Sequence, residues 1–221
     1  MPIISFANPK GGAGKTTTAL LLATELAEKG FTVTIVDADP ERWISQWAEM
    51  PGRPASIDIV SDVTEDNIVD RIDEVAVKTQ FVIVDLEGTA SLTVAQAVSI
   101  SDLVIVPVQG STMDAKGGVK TLRLIRTQGR TARREIPHAV VLTRTSAAIQ
   151  TRDLKDVQQQ LAEAGVPVFE TAIVERAAFR ALFVYGGTIS NLNPVQVSSI
   201  DKALANARDF AAEVIRRLKN G

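Results

Sequence analysis

The chain has 221 residues, 45% of them apolar, and a formal net charge of -2, enough for one sizeable core but giving no whole-molecule positive field to draw it onto nucleic acid. No cysteine and a single histidine, His138, exclude a disulfide framework, thiolate chemistry and a histidine-rich metal site. The N-terminus lacks a basic region followed by an apolar one, and no run approaches the roughly 18 apolar residues of a membrane helix, so a cytoplasmic chain without a membrane partner is expected.

Ile3-Ile4-Ser5-Phe6-Ala7 reads as the first strand. It runs into Asn8-Pro9-Lys10-Gly11-Gly12-Ala13-Gly14-Lys15-Thr16-Thr17 and then into the helix former Ala19-Leu20-Leu21-Leu22-Ala23. Strand, glycine-rich loop and helix make the setting of a phosphate-binding P-loop. Glycines let backbone N–H groups approach an anion, and the helix starting near Lys15 adds its positive end. Lys15 is spaced to reach the β and γ phosphates, and Thr16 to offer its hydroxyl to Mg²⁺. The general pattern G-x-x-x-x-G-K-[ST] asks for glycine where this chain has Pro9. The loop is therefore a variant, with a second lysine, Lys10, at its entrance.

A helix over 16–29 is ended by Lys29-Gly30, and Thr32–Asp37 is a β-branched buried strand. A helix through Trp43 and Trp47 follows; their spacing puts both on one face, which reads as packed against the core rather than as a partner surface. Met50–Ser56 is a surface loop, Ile57–Val60 a short edge strand and Glu65–Val77 a helix. Phe81–Asp85 is a central strand, Leu92–Ser99 a helix, Leu103–Pro107 a strand and Met113–Gln128 a long helix. Next come a strand at Ala139–Thr143, preceded by a structural His138, a helix at 151–164 and a short strand at Val166–Phe169. A helix over Glu175–Val184 is broken by Tyr185-Gly186-Gly187. The closing helix, Ile200–Leu218, carries a core-facing stripe of Ile200, Leu204, Ala207, Ala211, Val214 and Leu218. This alternation predicts an α/β fold, a mostly parallel twisted sheet with helices on both faces, in one P-loop NTPase domain over residues 1–221.

Three acids, Asp37, Asp39 and Asp85, fall at strand ends, where ligands lie in open α/β sheets. One such acid alone can cap a helix or close a turn. Beside a P-loop, a β-branched run ending in aspartate carries the Mg²⁺-associated carboxylate, which assigns Asp85 to the metal through water. Asp37 or Asp39 is then available to orient the water that attacks the γ-phosphate.

Lys10-Gly11-Gly12-Ala13-Gly14-Lys15-Thr16-Thr17 resembles the signature K-G-G-x-G-K-T-[ST] of the ParA/MinD family of deviant Walker A ATPases. Asp37-x-Asp39-Pro40 is similar to the family's switch I, Asp85 to its Walker B acid, and Ser101–Pro107 to the strand that follows. The closing helix lacks exposed bulky apolar residues, unlike the membrane-targeting end of the MinD branch, and so sides with ParA. The resemblance implies two monomers sandwiching two ATP molecules, with Lys10 crossing to the partner's phosphates. It implies that Gly11, Gly12, Ala13, Gly14, Lys15, Thr16 and Thr17 cradle the phosphates, that Thr16, Asp39 and Asp85 lie on the Mg²⁺ side, and that Asp39 assists the attacking water. Thr143-Arg144 and Ile173-Val174-Glu175-Arg176 stand where family members contact adenine. ATP would then hold a dimer on non-specific DNA, in association with the nucleoid, until hydrolysis stimulated by an adaptor protein releases it, as in plasmid or cargo partition. Two departures stand out. Glu41 replaces the usual glutamine, and Leu86-Glu87-Gly88-Thr89 replaces Pro-Pro. The second is similar to the VirC1 branch, whose members assist conjugation-like transfer of a DNA strand. A positioning ATPase that does not use DNA is a third reading, disfavoured by the basic residues below.

Lys116, Lys120, Arg123 and Arg130 share one side of the Met113–Gln128 helix and its extension, with Arg126, Arg133 and Arg134 nearby. A second group is Arg208, Arg216, Arg217 and Lys219. A solvated helix surface is compatible with either group. So few acids among them on a net-negative protein point instead to contacts with the phosphates of double-stranded DNA. No recognition-helix motif accompanies them, and sequence-specific reading is not expected.

Overall fold

The computed structural model describes residues 1–89, 91–109, 112–146 and 152–220, and for 112–117 and 152–154 the backbone alone. The strands are β1 (Ile3–Phe6), β2 (Val33–Ala38), β3 (Ile57–Val60), β4 (Phe81–Leu86), β5 (Leu103–Gln109), β6 (His138–Thr145) and β7 (Ile173–Val174). They pair in parallel in the order β3-β2-β4-β1-β5-β6-β7. Between them run α1 (Lys15–Glu28), α2 (Trp43–Glu49), α3 (Ile68–Ala76), α4 (Leu92–Ile100), α5 (Thr112–Ala132), α6 (Arg152–Glu163), α7 (Ala177–Tyr185) and α8 (Ile200–Asn220).

The two-residue period of the strands divides the core. Ile4, Phe6, Ile35, Ile83 and Ile105 pack under α1, α2, α7 and α8, while Val36, Val82, Val84, Val104 and Val106 pack under α3, α4, α5 and α6. Central strands buried on both faces have to be near-continuously apolar, as these are. The same period puts Asp37 and Asp85 on the α1 side, where they are register partners on β2 and β4. Gly30, at φ +86, turns the chain out of α1 as the sequence predicts.

Three expectations need correction. Val166–Phe169 is not a strand: Val140 N donates to Pro167 O and Phe169 N to Val140 O, a single bridge beside β6. The seventh strand is Ile173–Val174, and Glu175 N still bonds Thr145 O, so α7 starts at Ala177 rather than at Glu175. Trp43 and Trp47 do not share an environment. Trp47 is fully buried and donates its indole N–H to Gly187 O at 3.0 Å, whereas Trp43 is 47% exposed. A helix of two turns has room for one of the two against the core.

Candidate nucleotide-binding site

The loop between β1 and α1 is tied down from its neighbours. Asn8 donates from Nδ2 to Pro107 O at 2.6 Å and accepts Lys10 N at 2.9 Å. Gln109 at the end of β5 donates to Gly12 O at 2.5 Å, and Thr143 on β6 donates to Ala13 O at 2.7 Å. Gly12 and Gly14 have φ of +75 and +96, so the loop adopts backbone geometry that side chains disfavour. At Gly14 a Cβ would also lie 3.4 Å from Thr143. Loop carbonyls are thus consumed by Gln109, Thr143 and, at Gly14 O, the Thr18 hydroxyl. That leaves the N–H side of the loop for an anion at the start of α1.

Lys15 is 5% exposed, held in the mouth of the loop. A Cβ on Gly88 would lie 3.5 Å from Lys15 Nζ and 3.4 Å from Gly11 N, so the segment after β4 lies against the phosphate loop. The Glu87-Gly88 departure therefore lies at the site itself. Lys10, Thr16 and Thr17 are half-buried, and Gly11 is exposed.

Asp85 is fully buried, and neither of its carboxylate oxygens completes a hydrogen bond. Burial pushes its carboxyl well above the usual range. Asp37 and Asp39 push the same way, and the neighbouring Thr16 hydroxyl and Lys15 ammonium pull against them. Asp37 is buried too. Its Oδ2 accepts Ser45 N at 2.8 Å and Ser45 Oγ at 2.5 Å, while Oδ1 has no partner. Burial raises its carboxyl and the two Ser45 bonds oppose that. Asp39 is half-buried and accepts Glu41 N at 3.0 Å in a tight turn, after which Arg42 takes a φ of +51.

Three carboxylate oxygens buried without partners, beside a lysine and a threonine hydroxyl, are a donor set for a hydrated cation. Among the described residues no three acidic, histidine or cysteine side chains gather to hold an ion unaided. The carboxylate oxygens and the Thr16 hydroxyl fit Mg²⁺, which keeps waters and takes other oxygens from phosphates.

A cleft opens beside the loop, lined by Gly14, Thr17, Thr143, Arg144, Val174 and Arg176 among others. Thr143, Arg144 and Arg176, expected near the base, are thus brought together with the P-loop. Sequence reasoning missed Asn8, Gln109 and Ser45. Only their position at the ends of strands or the start of α2 marks them, and each acts through a contact distant in sequence or in turn geometry.

The basic residues fall elsewhere. Lys120, Arg123, Arg126 and Arg130 are exposed on α5; the side chain of Lys116 lies outside the described residues. In the C-terminal group Arg208 stands 3.7 Å from Glu25, and Arg216 3.1 Å from Glu170. Arg217 is internal to the fold: it bonds Glu213 at 2.9 Å and Val168 O at 2.6 Å and stacks over Phe169 at 4.5 Å. Its guanidinium is committed to anchoring α8, which removes it from the phosphate-contact group. Lys219 is exposed. Among the described residues no helix is long and apolar enough to cross a membrane.

The family described as VirC1 protein matches the chain over residues 1–218. Protein ParA of Rhizobium radiobacter is 42% identical over 218 residues, covering 99% of this chain and 98% of that one. Maintenance of carboxysome distribution protein A of Halothiobacillus neapolitanus is 28% identical over 204 residues, 90% of this chain and 91% of that one. Among solved structures, the ATP complex of a Cyanothece McdA variant superposes with a TM-score of 0.76 at 15% identity, covering 97% of this chain and 96% of that one, a likeness of fold.

Proposed function

Because the chain belongs to the ParA/MinD family of deviant Walker A ATPases, we propose that it is a slow Mg²⁺-dependent ATPase whose ATP-bound form is a homodimer holding cargo on DNA. The observation that carries this reading is the convergence of buried Lys15, Thr16 and the unpartnered Asp85 carboxylate at one P-loop mouth. Thr16 would hold Mg²⁺ by its hydroxyl, and Asp85 and Asp39 through water. When bound, the ion neutralises charge on the β and γ phosphates.

The residues of the chain do the rest by position and charge. Loop N–H groups and Lys15 bind the phosphates. Lys10 reaches the nucleotide of the partner subunit, so that ATP joins the two copies. Asp39 accepts a hydrogen bond from the attacking water and aims it at the γ-phosphorus. The water oxygen bonds to that phosphorus as the bond to the bridging oxygen breaks, and ADP and phosphate leave. Losing the γ-phosphate removes what Lys10 holds, and the dimer and its hold on the nucleoid lapse together. An adaptor protein that speeds this step sets the timing.

Phosphate release tests the chemistry. Lys15→Ala is expected to lose ATP binding and turnover; Asp39→Ala is expected to keep binding and lose turnover. Turnover by Lys15→Ala equal to the parent's contradicts the assignment.

A second reading, an accessory ATPase of conjugative strand transfer, is favoured by the match to the VirC1 family and by Glu87-Gly88 in place of Pro-Pro. A nuclease footprint on transfer-origin DNA separates the two: a protected preferred site supports transfer, and uniform coverage supports partition.

A further inference from the structure

Four acids stand at the carboxyl ends of β2 and β4. Asp37 and Asp85 are register partners, Ala38 and Leu86 are the next pair, and Asp39 and Glu87 follow them out of the sheet on adjacent strands. Paired backbones at the end of such a ladder are about 4.8 Å apart. Gly88 shows where the chain goes after β4. A Cβ there would lie 3.4 Å from Gly11 N, 3.5 Å from Lys15 Nζ and 3.6 Å from Pro9 O. Glu87 is therefore next in the chain to a residue set against the phosphate loop.

The other three acids are largely committed. Asp85 is fully buried on the metal side, and Asp37 is buried with one oxygen on Ser45. Asp39 accepts Glu41 N at Oδ1, which leaves Oδ2 for a water. Glu87 is half-buried and makes no hydrogen bond or ion pair among the described residues. Its carboxylate stands on two methylenes, one more than that of Asp39. A water held by one acceptor turns about that hydrogen bond, and its lone pair points at the γ-phosphorus only part of the time. A second acceptor for its other hydrogen fixes the lone pair and so raises the share of productive orientations.

We propose that Glu87 is a second catalytic carboxylate, which accepts the other hydrogen of the water held by Asp39 and aims its lone pair at the γ-phosphorus. The role rests on the ATPase activity proposed above and gives it a residue that Pro-Pro in this turn would not supply. Neither acid has to take a proton. The water oxygen bonds to the phosphorus, and the bond to the bridging oxygen breaks with its electron pair left on ADP. Both hydrogens leave with the phosphate, one on the attacking oxygen and one passed to a neighbouring phosphate oxygen once the new bond has formed.

Phosphate release and ATP affinity, measured side by side on the full chain with Mg²⁺, test this on Glu87→Ala and Glu87→Gln. Glu87→Ala is expected to lower kcat at least about tenfold, the loss of one hydrogen bond to a charged acceptor. Its ATP affinity is expected to match the parent's within about threefold or to be tighter, because a negative charge beside the triphosphate is gone. Glu87→Gln keeps a carbonyl oxygen at the same reach and is expected to turn over at least about threefold faster than Glu87→Ala. A smaller loss of turnover in Glu87→Ala overturns the proposal, as does Glu87→Gln no faster than Glu87→Ala. A parallel loss of affinity and turnover overturns it too, since a side chain that merely supports the loop would act in that way. A parent that hydrolyses ATP and loses turnover as Lys15→Ala keeps the ATPase reading whatever Glu87 does. A parent that neither binds nor hydrolyses ATP removes both together.

Discussion

Replacing Glu25 by glutamine should make the protein more stable, and only at neutral and alkaline pH. Glu25 lies on α1 with its side chain 3% exposed, 3.7 Å from Arg208 on α8. Burial pushes its carboxyl from an ordinary 4.5 up to about 7; Glu28 adds to the rise, and Arg208 and Lys29 oppose it. Below pH 4.5 the group is protonated whether the chain is folded or not, and it contributes nothing. Between about 4.5 and 7 the unfolded chain gives up the proton while the folded one keeps it, so stability falls as pH rises. Above about 7 the full penalty is present. A shift of that size corresponds to about 3 kcal/mol, and water around the exposed Glu28, which screens its repulsion, reduces it to about 1–3 kcal/mol. Glu25→Gln should therefore raise the melting temperature by about 3–8 °C at pH 8 for a chain of this length and leave it unchanged at pH 4. Scanning calorimetry of both proteins at the two pH values is the assay. A variant no more stable than the parent at pH 8 would refute the reasoning, as would an equal gain at pH 4.

Other outcomes follow from the same contacts. Gly186 has φ +74, and a Cβ there would lie 2.5 Å from Met50 Cβ and 2.7 Å from Pro51 O; Gly186→Ala should cost at least about 2 kcal/mol in urea unfolding. Ser45→Ala removes one of the two bonds to Asp37 Oδ2, a charge-assisted contact of about 1.5–3 kcal/mol. Its expected signature is slower turnover with ATP affinity kept within about threefold, read from phosphate release beside a binding titration; equal losses in both would show that Ser45 supports the loop generally.

Much of the fold was legible because it is written in short-range periods. The apolar runs of β2, β4 and β5 end one or two residues from where the sequence puts them, and the loop from Asn8 to Thr17 sits where its glycines require. The acids Asp37 and Asp85 were legible as a pair because parallel register brings strand ends level. What was not legible depends on distant contacts. Glu25 looks like a surface residue of an amphipathic helix until α8 covers it. Arg217 reads as a phosphate contact until Glu213 and Phe169 are placed beneath it. Asp37 reads as a free carboxylate, but half of it is spent on Ser45 at the start of α2. Val166–Phe169 has the composition of a strand, yet Pro167 has no N–H to extend the ladder and the sheet resumes only at Ile173.

In the proposed assembly ATP joins two copies through Lys10, and mass in solution tests this. With ATP·Mg²⁺ and hydrolysis blocked by Asp39→Ala, light scattering after size exclusion should give twice the monomer mass, falling back to the monomer with ADP. Adding Lys10→Ala to that variant should leave a monomer that still binds ATP in a nucleotide titration. A protein that stays monomeric at saturating ATP·Mg²⁺, or a Lys10→Ala variant that dimerises as well as its parent, would rule out a dimer joined in this way.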